Sequence, residues 1–379
     1  MSVFAPPVRV LVNGLHAKSG GGVTYLRNIL PFLADDRRLE LHLFLKRDQY
    51  ALFHPVDERV RVHLFDFGEG LARLLAWEQL VLPLLARLMA VDVTFSPANF
   101  GPLLAPRPVI MLRNSLAVVG RETRSIRRLY WVGLALMTAL SLLSCRQAIA
   151  VSEYARRALT FGLRGVLHGR VTVVPHGLST HFAAERDIDD KESFLLAVAD
   201  IYVQKNLHNL IEALPRIVAS RPEVRLLIAG REIDGSYAAE LRQLVTRLHL
   251  GDRVEFMGGV SSQRLKELYN ACALFVFPST VETFGNPLVE AMACGACIAS
   301  SNTAAMPEIL ADAGCYFDPL DVDDIAGQIL KLLGDREMRR DFSARALLRA
   351  GNFSWRSTGD KTAEVLTSVV RGDKRGRPR

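Results

Sequence analysis

The residue types able to do chemistry concentrate in one stretch, VETFGNPLVEAMACG, residues 281–295. Glu282 and Glu290 are separated by seven residues, and the stretch follows an apolar run that ends at Pro278-Ser279. Gly285 and Asn286 stand where a loop turns into a helix, with Pro287 at a first-turn position. A helix start of this kind carries backbone N–H groups and the positive end of the helix dipole, and so attracts an anion. Glu290, one turn in, would sit near the same ligand. A carboxylate there accepts two hydrogen bonds from a ribose diol, as an acidic residue does in dinucleotide-binding domains. The competing account is structural: Glu282 caps a loop and Glu290 is a solvated helix residue. Four of the five cysteines, Cys272, Cys294, Cys297 and Cys315, lie in the same half of the chain, far from Cys145. Cys294 and Cys297 form C-x-x-C, but a zinc ribbon needs a second pair. Small buried residues at a helix-to-strand turn is one account; a redox or metal role is the other. Low cysteine usage fits a reducing compartment.

The elements that position this stretch follow from hydrophobic periodicity. Strands are expected at 8–14, 41–46, 60–65, 91–96, 108–114, 148–153 and 171–177, with helices at 22–34, 71–89, 122–144 and 153–162. Several strands are near-continuous Val, Ile and Leu, as in a parallel sheet buried on both faces. A polar break covers 178–193, and the pattern restarts. Further strands are expected at 194–200, 224–230, 254–259, 273–279 and 296–301. Helices fall near 206–219, 236–248, 261–271, 286–294, 321–333, 335–350 and 355–371. The fold class is therefore α/β, with two Rossmann-like domains in tandem. The first is expected over 1–178 and the second over 179–354, followed by a helix and basic tail over 355–379. Ligands bind at the carboxyl ends of such strands. Two such domains facing one cleft suit a two-substrate transferase or a periplasmic-type binding protein. The N-terminus reads as lacking a leader, which argues against the second.

Composition narrows the class. With 379 residues, 49% apolar and 23% charged, the chain is neither disordered nor a disulfide scaffold. Net charge is +7, unevenly spread: residues 1–180 are basic, residues 181–370 acidic, and RGDKRGRPR at the end basic. Two stretches are greasy, 74–91, which carries Glu78 and Arg87, and 129–145. The second is short of the roughly 20 apolar residues that span a bilayer. Both read as buried or interfacial helices. Arg121, Arg124, Arg127 and Arg128 precede the second. They are either a solvated turn on a core helix or a contact with an anionic membrane surface. No compact basic module with interleaved aromatics appears, so nucleic acid is not an expected partner.

The motif over 281–295 resembles the donor-site motif of the family-4 glycosyltransferases, retaining enzymes of the GT-B fold. Other segments resemble the family in order: GGGVTYLRNILPFL at 20–33, AIAVSEYARRAL at 148–159, VTVVPHGL at 171–178, QKNLHNLIEAL at 204–214 and NFSWRSTGDKT at 352–362. The resemblance implies an acceptor-binding first domain, a donor-binding second domain and a last helix that crosses back to the first. Glu290 would bind the donor ribose, and Glu282 would lie near the donor sugar and phosphates. Thr283, Phe284, Gly285 and Asn286 would hold sugar and phosphates through backbone amides, with Leu288 near the nucleoside. Lys205 would neutralise the departing diphosphate, a compact charge where a metal acts elsewhere; alternatively it is a solvated lysine at a helix start. Gly21 and Gly22 would let the first-domain loop approach phosphates and acceptor, and Met257 and Gly258 would touch the base. No metal or other cofactor is expected. The implied partners are a nucleotide-sugar donor and a saccharide or lipid-linked acceptor, at the cytoplasmic side of the membrane.

Two departures from the family pattern stand out. Asp200 lies where the family often has an arginine for diphosphate, leaving Arg231 as a candidate cation. Arg113 and Asn114 replace the usual His-Asp pair. Asn114 can still donate and accept hydrogen bonds, Arg113 adds charge, and His176 is a further acceptor-side candidate. The resemblance implies retaining glycosyl transfer in surface polysaccharide or lipopolysaccharide synthesis. A non-catalytic nucleotide-sugar binding relative and another GT-B enzyme, such as an epimerase, are the competing readings.

Overall fold

Short runs of Val, Leu and Ile become thirteen strands in the computed structural model, which describes residues 6–18, 20–68, 70–115, 125–162, 167, 169–187 and 191–375. The chain divides into two compact units, Leu178–Phe353 and the remainder, with Ser354–Arg379 clustering with the first. The first unit holds β1 (Val8–Asn13), β2 (Leu39–Lys46), β3 (Val60–Phe65), β4 (Val93–Ser96), β5 (Pro108–Leu112), β6 (Gln147–Ala150) and β7 (Val171–Val173). They form one sheet in the order β3-β2-β1-β4-β5-β6-β7, and every pair is parallel. The second unit holds β8 (Glu192–Val198), β9 (Arg225–Ala229), β10 (Val254–Gly258), β11 (Cys272–Phe277), β12 (Ile298–Ser301) and β13 (Cys315–Phe317). Their order is β10-β9-β8-β11-β12-β13, again all parallel. In both sheets the order reverses beside the first strand, between β1 and β4 and between β8 and β11. Chain crossovers leave in opposite directions there and open a crevice at the carboxyl ends.

Each sheet is covered by amphipathic helices. In the second unit, Leu207–Ser220 turns Leu207, Leu210, Ile211, Leu214 and Ile217 inward against Leu195, Leu226 and Ile228. In the first unit the last helix, Trp355–Arg375, packs along Gly20–Asp35. The Thr358 hydroxyl donates to the Pro175 carbonyl at 2.8 Å.

Several elements differ from expectation. The strand expected over 171–177 ends at Val173, just before Pro175, which has no N–H for a ladder. The short strand β13 and the helices Tyr50–Phe53 and Met306–Leu310 are too brief to show periodicity. The helix expected over 71–89 is interrupted by a wide turn at Trp77–Val81, between Leu71–Ala76 and Leu82–Leu88. Pro83 has no N–H to give the carbonyl four residues earlier, so the ladder slips to a wider turn upstream. The second greasy stretch forms most of the helix Ser125–Ser144, with Cys145 just past its end. Among the described residues no helix is long and apolar enough to cross a membrane. Arg121 and Arg124 lie outside the described residues. Cys294 and Cys297 are fully buried, and burial pushes both thiols up to about 12, so the C-x-x-C is packing rather than a reactive pair.

Candidate active site

The crevice of the second unit is built from the ends of β8 and β11. After β8 the chain makes a single tight turn, Val203–Lys205, and Asn206 follows in the left-handed conformation at φ 55°. Asn206 tolerates this backbone because its amide is anchored. Its Nδ2 donates to the carbonyls of Pro278 at 3.1 Å and Pro319 at 2.7 Å. The loop after β11 is tied to the same turn, since Thr280 N donates to the Gln204 carbonyl at 2.9 Å. Thr303 Oγ1 in turn donates to the Thr280 carbonyl at 3.1 Å. These bonds bring Lys205 and Glu282 together across 77 residues: Nζ lies 2.5 Å from Oε1, and each side chain keeps 18% of its surface exposed. The pair is therefore reachable by a ligand while shielded enough for its charges to matter.

Gly285 follows on the same loop at φ 86°, a conformation a side chain would strain, and the helix Asn286–Ala293 starts immediately. Phe284 is buried, its ring edge-on to Phe353 at 5.7 Å, and Thr283 is also buried. Asn286 and Glu290 remain partly exposed on the helix. Tyr269 OH donates to Glu290 Oε2 at 3.2 Å. Burial pushes the Glu290 carboxyl up to about 7, while the Tyr269 hydrogen bond pulls the other way. Met257 and Gly258 close β10 at the sheet edge, with Gly258 at φ 66° and its carbonyl accepting from Gly230 N at 2.9 Å.

Two donor-side candidates sit among partners that the sequence did not show. Leu288 is fully buried, with its side chain packed under Gly285, so it supports the loop. Arg231 is ion-paired. Its Nη2 lies 2.8 Å from Asp200 Oδ2, and its backbone N donates to Oδ1 at 2.9 Å. The acidic residue at 200 and the arginine at 231 thus neutralise each other, and Lys205 pairs with Glu282.

The acceptor-side candidates all belong to the first unit. Gly20 at φ 56°, Gly21 and Gly22 open the helix Gly20–Asp35. Arg113 Nη1 donates to the Gly21 carbonyl at 3.1 Å. A Cβ on Gly22 would come within 2.8 Å of Arg113 Nη2, so the glycine makes room for the guanidinium. Asn114 is exposed, and its backbone N donates to Asn99 Oδ1 at 3.0 Å. His176 is buried, stacked on Trp355 at 5.9 Å and tilted against Tyr25 at 5.4 Å. Its ring contacts fasten the last helix to the first unit. Asn206 and Tyr269, which hold Lys205 and Glu290, were not singled out from the sequence. Only the Asn after Lys205 carried a local signal, as a residue type that tolerates φ > 0.

Residues 180–349 match the family model described as glycosyl transferases group 1. The second unit is a group 1 glycosyl transferase domain. Over the whole chain, the sucrose-phosphate synthase of Thermosynechococcus elongatus superposes with a TM-score of 0.77 at 18% identity, covering 96% of this chain and 100% of its own. The fold is therefore GT-B, each unit a Rossmann-like domain. Among curated relatives, the Escherichia coli serotype-specific mannosyltransferase WbdA is 32% identical over 200 residues, 51% of this chain and 24% of its own. The Escherichia coli O-antigen chain mannosyltransferase B is 34% identical over 172 residues, 45% of each. The matched part of the chain spans a quarter to just under half of those relatives.

Proposed function

We propose that the protein is a retaining glycosyltransferase. It moves a hexosyl group from a nucleotide-diphosphate sugar to an acceptor hydroxyl of a surface polysaccharide or lipopolysaccharide, at the cytoplasmic face of the membrane. The observation that carries this is the Lys205–Glu282 pair at the switch point of the second unit, beside the Gly285 turn and Glu290. An ammonium there meets the charge that develops on a departing diphosphate, and a preorganised charge needs no rearrangement as the bond breaks. Glu290 accepts from the ribose diol, and the helix start at Asn286 favours the phosphates. The reaction is proposed to need no metal, because Lys205 supplies the positive charge. The mannosyltransferase relatives make GDP-mannose the first donor to try. A thermal-shift and nucleotide-release panel with GDP-mannose, UDP-glucose and UDP-N-acetylglucosamine, with and without EDTA, tests this. One donor at about 100 times its Kd stabilises by about 2.7 kcal/mol, on the order of 5–10 °C. The shift and release should survive EDTA. Folded protein that responds to no donor would defeat the proposal.

A second element of the proposal is contact with an anionic membrane. Leu80, Leu84 and Leu88 recur every four residues along 77–88 and are exposed, as are Leu129, Leu136, Leu140 and Leu143 on the helix Ser125–Ser144. Gly101 joins the two stripes: its carbonyl accepts from Gln79 Nε2 at 3.1 Å and its N donates to Ser141 Oγ at 3.3 Å. Exposed Leu104 lies on the same loop, and Arg87 Nη2 donates to its carbonyl at 2.8 Å. An apolar face flanked in sequence by arginines matches a lipid surface of negative charge. Flotation with phosphatidylglycerol-containing vesicles should carry the protein, and pure phosphatidylcholine should carry it less. Leu84→Ser with Leu136→Ser should abolish flotation without changing donor binding. Unchanged flotation of that variant would dismiss this face as the contact.

A further inference from the structure

We propose that the amino end of the second sheet carries a further ligand site, which takes a phosphate dianion, free or as the monoester of a small sugar. A cavity of about 230 Å³ opens there, between the starts of β8, β9 and β11 and the first turn of the helix Arg336–Ala350. Lys191, Arg221, Arg336 and Arg339 line it, together with Glu192 and Glu223. Four cations thus meet two carboxylates, in the half of the chain, residues 181–370, that is acidic overall. One of those carboxylates is already taken, since Glu192 Oε1 lies 3.1 Å from Arg186 Nη1. The other, Glu223, is exposed.

Lys191, Arg221 and Arg339 are half-buried, and among the described residues none of the three has a carboxylate partner. Lys191 Nζ donates to the Asn270 carbonyl at 2.6 Å, which fixes the ammonium at the cavity wall. Arg339 Nη1 donates to the carbonyls of Leu332 at 2.7 Å and Leu333 at 2.8 Å, in the last turn of the helix Val322–Gly334. That capping orients the guanidinium, while its Nε and Nη2 make no hydrogen bond among the described residues. The Arg221 guanidinium makes none there either. Half-buried donors of this kind call for an acceptor. An arginine edge offers two parallel N–H groups, which match two oxygens of a phosphate. Burial also holds the Lys191 ammonium below its ordinary range, a cost that an anion beside it offsets. Size narrows the ligand: clefts for drug-sized molecules run to roughly 300–1,000 Å³, so this smaller cavity suits a phosphate or a sugar phosphate rather than a nucleotide. It is also distinct from the donor crevice. β8 runs from Glu192 to Val198 at roughly 3.3 Å per residue, which puts the carboxyl end, with Lys205 and Glu282, on the order of 20 Å away.

The test uses the full chain, with inorganic phosphate and mannose 6-phosphate as probes and mannose in potassium chloride of equal ionic strength as the control. Binding is read by calorimetric titration and by thermal shift. A phosphate probe should bind at one site per chain and raise the melting temperature, because it binds the folded state. The control should do neither. The two probes separate the sources: equal affinity assigns the site to the free ion, and tighter binding of mannose 6-phosphate assigns it to the ester. Arg221→Gln should weaken binding by about 10-fold or more, the range for one charge-assisted hydrogen bond. Its guanidinium holds no hydrogen bond among the described residues, so this variant should melt like wild type when no probe is present. Lys205→Met should bind both probes as wild type does. If the cations only cap helix ends, folded Arg221→Gln keeps wild-type affinity, and that result overturns the inference. Loss of probe binding in Lys205→Met overturns it too, since the phosphate then occupies the donor crevice. Folded wild type that binds neither probe also overturns it.

Discussion

Lys205→Met is expected to lower kcat by about 10²–10³-fold while the protein stays folded. Removing one preorganised donor from a developing anion costs about 2.7–4 kcal/mol in the transition state. Lys205 fits that description because its ammonium is held within 2.5 Å of Glu282 and is only 18% exposed, at the end of a turn pinned by Asn206. The alternative is that the ion pair merely ties two loops together. The two accounts separate in the double variant Lys205→Met with Glu282→Gln. If the pair is structural, the damage in Lys205→Met is a stranded carboxylate, and neutralising Glu282 restores both stability and kcat. If Lys205 acts on the leaving group, the double variant regains stability and stays slow. Recovery of kcat in the double variant would end the leaving-group assignment.

What the sequence showed of this site is its contiguous part. The loop and helix from Glu282 to Glu290 are one segment, so their residue types and spacing can be read together. The same holds for the two βα series, whose strands announce themselves by apolar runs. The rest depends on pairs distant in the chain. Asn206 is explained only by the carbonyls of Pro278 and Pro319, and Glu290 is set by Tyr269 on the preceding helix. Asp200 looked like a defect in a phosphate site until Arg231 appeared beside it. Leu288 and His176 are buried, and sitting in or beside a motif does not tell which face of an element meets the core. The burial of Glu78 could not be read from the 74–91 stretch because it depends on the wide turn before Pro83 and on a partner on β1.

Glu290→Gln is expected to strengthen the ligand-free protein above pH 7 and to weaken donor binding by about 10²-fold. In the folded protein burial holds the Glu290 carboxyl at about 7, above the ordinary 4.5. Between those values the folded state keeps a proton that the unfolded chain has released, so stability falls as pH rises through this window. The loss is complete above pH 7 and amounts to at most about 3 kcal/mol. Glutamine cannot ionise, so the variant should melt higher than wild type at pH 8, by roughly 2–4 °C per kcal/mol, and match it near pH 4.5. Binding should move the other way. A ribose diol needs both carboxylate oxygens as acceptors, and hydrogen bonds to a charged group are worth about 1.5–3 kcal/mol each. Wild-type donor affinity should therefore rise as pH passes through 7, while that of the variant stays low and flat. A burial cost carried by the empty site and offset by a ligand marks a binding carboxylate rather than a solvated helix residue. Melting curves and donor titrations at pH 5, 6.5 and 8 decide it. A variant with wild-type melting at every pH and an unchanged donor-induced shift would return Glu290 to the status of a surface residue.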